Sequence, residues 1–250
     1  MKAQISIGAL ALGLMLSGCG DSEDGNLAAV ATNNAAPLTQ IPAPNNGNWT
    51  EIVSETPEVG YRMGNPDAPV KLVEYASITC PHCGEFAETA TDPLTSQYVR
   101  SGQVSWEYRP YMLFPSDPGI FMLLRCQGPT PFFTLVHQLY STQSEWGVRL
   151  QSLTPEQRQQ FEGLGPNDKA AAYYRATGLD QFFRQRGMPE GRIGTCLADS
   201  GGLERLAQIT RAGTEEQGVT GTPTFFVNGE RQDVNAWTQL EPRLRAALGG

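Results

Sequence analysis

The tetrapeptide Cys80-Pro81-His82-Cys83 constrains this chain more than any other stretch. Two cysteines two residues apart can close a disulfide within one helical turn. The run before them, Val70 to Ala76, is rich in β-branched and apolar residues, and the run after them, Cys83 to Ala90, is amphipathic. Strand, short turn and helix is the setting in which a CxxC pair is read as redox-active. At a helix start the first thiol, Cys80, faces unpaired N–H groups and the positive end of the helix dipole. Both favour its thiolate, the species that exchanges disulfides. Pro81 fits the first helical turn, where a missing N–H is not needed. His82 supplies a hydrogen bond or a positive charge beside the sulfur. A stabilised thiolate is a stabilised reduced form, which makes the disulfide the more oxidising state.

This motif resembles the DsbA-type thiol–disulfide oxidoreductases of the thioredoxin superfamily, which commonly carry CPHC. The resemblance covers about residues 60–250. It implies an α/β thioredoxin fold with an inserted helical module, and thiol–disulfide interchange with no cofactor. It also gives meaning to Glu74, six residues before Cys80 in an otherwise largely apolar strand. The family has an acidic residue at the matching place, where a carboxylate takes and returns the proton of the second cysteine. The residues alone leave a water-facing strand-edge glutamate equally open. Thr222-Pro223 opens the strand-like run Thr224 to Val227. In thioredoxin-fold proteins a cis-proline loop faces the CxxC pair, and the residue before it offers its backbone to a substrate chain. Thr222 and Pro223 match that place and become the expected substrate-binding pair; the alternative is an ordinary turn proline.

The N-terminus reads as a targeting segment. Lys2 precedes an apolar stretch from Ile5 to Leu16, too short to span a membrane. Leu16-Ser17-Gly18-Cys19 resembles the bacterial lipobox, so residues 1–18 are expected to be removed and Cys19 lipidated; an ordinary secretory signal is the alternative. Residues 19–47, rich in Ala, Asn, Pro and Thr, are expected to form a flexible linker, and residues 48–250 the folded domain. Both readings put the protein outside the cytoplasm; the lipoprotein reading places it in the periplasm, anchored to a bacterial membrane by its lipid. Assigning one of the five cysteines to lipid and two to the redox pair leaves Cys126 and Cys196. In an oxidising compartment they are expected to form a structural bridge; two buried thiols that never meet is the other reading.

The second strand is expected at Gln103 to Arg109, parallel to the first across a helix that runs from Cys83 to about Val99 and bends at Pro93. From about 114 to 200 the spacing is helical, marking the inserted module. A helix near Leu203 to Gln217, a hairpin at Asn228-Gly229 and a last helix near Ala236 to Leu248 complete the chain.

Acidic residues outnumber basic ones, 26 to 18, with no basic stripe, which excludes nucleic acid as the expected partner. The expected partners are cysteine-containing secreted proteins and, by resemblance, a membrane redox partner that resets the disulfide. A reductase or isomerase of the same fold is the alternative function. A zinc site would need about four ligands, and no second CxxC or Cys/His cluster at finger-like spacing is present; no metal is therefore expected. A scaffold lipoprotein with a relic redox site is the remaining class. His137, on a helical apolar run, reads as a packed or surface histidine.

Overall fold

The computed structural model describes residues 38–249. The expected signal segment, the Cys19 lipidation site and linker residues up to 37 lie outside them. Residues 38–47, read as the end of the linker, run along the domain: the Ile41 N–H donates to Ser101 O at 2.7 Å and the Trp49 indole N–H to Ile41 O at 2.7 Å.

Six strands form one mixed sheet: β1 Val53–Glu55, β2 Tyr61–Met63, β3 Val70–Ala76, β4 Val104–Pro110, β5 Thr224–Val227 and β6 Glu230–Gln232, in the order β1-β2-β4-β3-β5-β6. Only the β3–β4 pair is parallel. Its crossover is helix α1, Pro81–Pro93, which continues as a π-helical turn over Leu94–Val99. The change of winding follows Pro93, whose missing N–H breaks the regular hydrogen-bond ladder. Cys83, Phe86, Ala87 and Ala90 form the buried stripe of α1 at helical spacing. Phe86 packs on Phe225 with ring centroids 4.5 Å apart. The β5–β6 hairpin turns at Asn228 and Gly229, both at positive φ (50° and 85°), as an Asn-Gly turn requires.

Pairing places Leu72 opposite Trp106, and Glu74 opposite both Tyr108 and Phe225. Leu72 and Glu74 therefore share the face that α1 covers. The register buries a carboxyl group among aromatic rings.

Seven helices fill the insertion: α2 Asp117–Cys126, α3 Phe132–Ser141, α4 Gln143–Gln151, α5 Pro155–Glu162, α6 Pro166–Thr177, α7 Asp180–Arg184 and α8 Glu190–Leu197. The chain returns to the sheet through α9, Ser200–Glu215, and ends in α10, Trp237–Ala247. Cys126, at the end of α2, and Cys196, in α8, are joined by a disulfide across a sequence separation of 70, with Cα atoms 6.0 Å apart. The insertion is continuous with the main core: Trp106 of β4 packs on Phe133 of α3, and Phe132 stacks on Tyr61 of β2. Among the described residues, no helix is long and apolar enough to cross a membrane.

Candidate active site

Strand β3 delivers the chain into a tight turn, Ser77 to Cys80, and α1 starts immediately after it. Cys80 is the N-cap residue, with Pro81 at the first helical position. The Cys80 N–H donates to Ser77 Oγ at 3.2 Å. Cys80 keeps 4 % exposure and Cys83 none, so an incoming sulfur meets Cys80 first. From the other side the Thr222–Pro223 loop, with a cis peptide bond, puts the Thr222 carbonyl 3.4 Å from Cys80 Sγ, within reach of its S–H. Sequence positions 74, 80, 83, 222 and 223 thus converge at one end of the sheet.

The two sulfurs are driven apart electrostatically. The Cys83 S–H donates to Cys80, and this is the main reason the Cys80 thiol falls to about 5; burial opposes it, and the Cys83 and His82 backbone N–H groups add smaller support. Burial first, then the hydrogen bond to Cys80 and the Cys80 charge, push Cys83 well above the usual thiol range, and Glu74 adds to this once it ionises at high pH. The Thr222 hydroxyl is buried without a hydrogen-bond partner of ordinary geometry, so it acts on both sulfurs as a nearby dipole. Glu74 is buried, and desolvation raises its carboxyl to about 8 even though the Trp106 indole N–H donates to it at 3.0 Å. At pH 7 Glu74 therefore carries a proton.

His82 sits differently from the sequence expectation. Its exposed ring pairs through Nδ1 with Glu85 Oε2 at 3.0 Å, which raises its pKa, and it makes no hydrogen bond to Cys80 Sγ. His82 acts on the sulfur through its backbone N–H and through the attraction between its ring charge and the Cys80 thiolate, so the expected positive charge is present while the side-chain hydrogen bond is not. His137 is exposed on α3. The Cys126–Cys196 bridge occupies the two sulfurs that a four-thiol zinc site would have needed.

Sequence reasoning missed the side chains that hold the turn. Ser77 Oγ donates to Asp117 Oδ2 at 2.8 Å, and the Thr79 N–H donates to Asp117 Oδ1 at 3.0 Å. Asp117 Oδ2 also accepts the Leu113 and Phe114 N–H groups. Burial lifts the Asp117 carboxyl to about 6 against these bonds. The Tyr140 hydroxyl donates to Ser77 O at 3.0 Å, and the Gln143 amide donates to Ile78 O and Cys80 O. Ser116-Asp117-Pro118 is a legible helix-start signature. Nothing in the sequence marks Tyr140 or Gln143. Beside Pro81 a mostly apolar cavity of about 580 Å³ opens, lined in part by Phe114, Val148 and Leu150.

A family model described as Thioredoxin matches residues 56–244. A Rickettsia bellii protein provisionally named a protein-disulfide oxidoreductase is 25% identical over 187 residues, covering 74% of this chain and 63% of that protein. The chain thus spans less than two thirds of that relative's length. The crystal structure of a protein-disulfide isomerase from Novosphingobium aromaticivorans superposes with a TM-score of 0.72 at 28% identity, covering 76% of this chain and 97% of the other. Wolbachia pipientis alpha-DsbA1 shares the fold, with a TM-score of 0.62 at 17% identity over 76% of this chain and 91% of the other. With its mixed sheet, inserted helices and CxxC turn, the chain belongs to the thioredoxin family and has the fold of that family's DsbA-like members.

Proposed function

We propose that this protein is an extracytoplasmic thiol–disulfide oxidoreductase that oxidises cysteines of secreted proteins, held at a bacterial membrane by a lipid on Cys19. The observation that carries the redox chemistry is geometric: Cys80 caps α1 facing the carbonyl of the cis Thr222–Pro223 loop, with Cys83 fully buried behind it, a setting that lowers the Cys80 thiol and raises that of Cys83. Reduction is favoured because it releases a stable thiolate. In the oxidised pair a client thiolate attacks Cys80 Sγ. A client–Cys80 disulfide forms, the Cys80–Cys83 bond breaks, and Cys83 leaves as a thiolate that takes the Glu74 proton. A second client thiolate then attacks the client sulfur of the mixed disulfide and releases Cys80 as its thiolate. The client gains a disulfide and loses two electrons; the pair gains them. Thr222 and Pro223 hold the client backbone beside Cys80, and the apolar cavity receives its side chains. A membrane redox partner takes the two electrons back.

A client peptide with a single cysteine tests this order. It can make the first attack but not the second, so acid-quenched mixtures with the oxidised protein should contain a mixed disulfide on Cys80, located by mass spectrometry; an adduct on Cys83 instead, or none at all, contradicts the scheme. Isomerase activity is the second reading, favoured by the name of the Novosphingobium neighbour. A reduction potential well above that of thioredoxin, about −270 mV, together with little reactivation of scrambled substrate supports the oxidant. Efficient reactivation supports the isomerase.

A further inference from the structure

We propose that Gln143, contributed by the inserted helical module, is a positioning residue for the redox turn: its side-chain amide fixes the Ile78 and Cys80 carbonyls and so the alignment of the donors that face Cys80 Sγ. The inference rests on the exchange chemistry proposed above and adds that the insertion sets its strength.

A primary amide has two N–H groups, and Gln143 uses Nε2 on two carbonyls of the turn, Ile78 O and Cys80 O, both at 2.9 Å. These carbonyls flank Thr79, so two peptide planes are held by one side chain. Cys80 O also accepts the Gly84 N–H at 3.2 Å, the bond with which α1 begins. Gln143 therefore grips the chain where turn becomes helix, and the His82 and Cys83 N–H groups lie just beyond that point. Position 143 is itself anchored: one turn along α4, the buried Trp146 donates its indole N–H to Leu139 O of α3 at 2.9 Å.

Gly84 is the counterpart of Gln143. It lies inside α1 without positive φ, and a Cβ there would fall 2.7 Å from Gln143 Oε1. A side chain at 84 would move this flexible amide aside and so take its N–H groups off the turn. The other ionisable groups near Cys80 are Cys83, His82 with its partner Glu85, Glu74 through Cys83, and Asp117, which accepts from Ser77 Oγ and the Thr79 N–H in the same turn. The substitutions at 84 and 143 replace none of these groups.

The test uses the mature protein as wild type, Gln143→Ala, Gly84→Ala and the double variant. Cys80 ionisation is read from thiolate absorbance and from alkylation rate against pH, the potential from glutathione equilibria, and folding from thermal melts. Gln143→Ala should raise the Cys80 midpoint by about half a unit, a threefold loss of thiolate stability. The potential should become less oxidising by the same factor, about 15 mV. Gly84→Ala, which keeps Gln143 but displaces its amide, should do likewise, and the double variant should match Gln143→Ala alone. A side chain that only stabilises the fold would lower the melting temperature and leave the midpoint in place, and that result overturns the proposal. So does strict additivity of the two substitutions. A wild-type Cys80 that ionises like free cysteine overturns the exchange reading itself, whereas a low wild-type midpoint unmoved in both single variants overturns only the role of Gln143.

Discussion

The Trp106 indole N–H donates to Glu74 Oε2 at 3.0 Å, and among the described residues it is the one hydrogen bond that this buried carboxyl makes. The bond favours the ionised carboxylate and opposes desolvation. Trp106→Phe keeps a ring against Phe133 and removes the donor. The Glu74 midpoint should rise above about 8, and the fold should lose about 1–3 kcal/mol. Carboxyl carbon NMR and urea unfolding measure the two effects.

Glu74 should also make stability depend on pH. Its pKa rises from 4.5 to about 8 on folding, so between these values the folded protein keeps a proton that the unfolded chain has lost. Stability from this group therefore falls as pH rises from about 4.5 to 8 and is least above 8. Glu74→Gln should flatten that part of the profile and stabilise the protein at pH 8 by a few kcal/mol, on the order expected for such a shift. If Glu74 carries the Cys83 proton, the same variant should slow release of Cys83. Denaturation from pH 4 to 9 and stopped-flow reduction give the two readings.

Cys80 contributes with the opposite sign. Its pKa falls from 9.0 to about 5 in the folded dithiol, so between these values the unfolded chain holds the extra proton. Stability of the reduced protein from this group should rise with pH across that window and be lost as pH falls through about 5. Cys80→Ser should abolish the rise, at a cost of about 1–2 kcal/mol at pH 7 once solvent screening is allowed for. Chemical denaturation of the two reduced proteins at pH 4, 5.5, 7 and 8.5 checks the sign.

The Cys126–Cys196 bridge closes a separation of 70 residues. Replacing both cysteines by alanine should lower stability by about 2–5 kcal/mol, the usual range for a native bridge. Thermal and urea unfolding against the wild-type protein measure the loss.

The exposed His82–Glu85 pair raises the imidazole pKa chiefly through their hydrogen bond. Glu85→Gln should lower the His82 midpoint, as read by ring-proton NMR. It should leave the melting temperature almost unchanged, since exposed pairs contribute little to stability.

Where chemistry follows local order, it was legible in the residues. The CxxC turn, the β3 and β5 strands and the Asn-Gly hairpin are short-range patterns, and each stands where its pattern put it. The bridge partners followed from cysteine arithmetic rather than from any view of the insertion. The direction of the His82 ring was not legible, because it depends on a carboxylate at Glu85 one helical turn away. Strand β2 escaped notice because three residues carry too little alternation. Asp117, Tyr140 and Gln143 come from the insertion and reach the turn across 38 to 65 residues of sequence. Such contacts are a property of packing, with no periodicity to announce them.

The second bridge has a consequence for how a copy of this protein becomes competent. A newly made chain carries Cys80, Cys83, Cys126 and Cys196 as free thiols, and in the proposed role as an oxidant it works only with both pairs closed. Each closure withdraws two electrons. Half of the oxidising equivalents that close the two pairs thus go to architecture at α2 and α8 rather than to the redox turn.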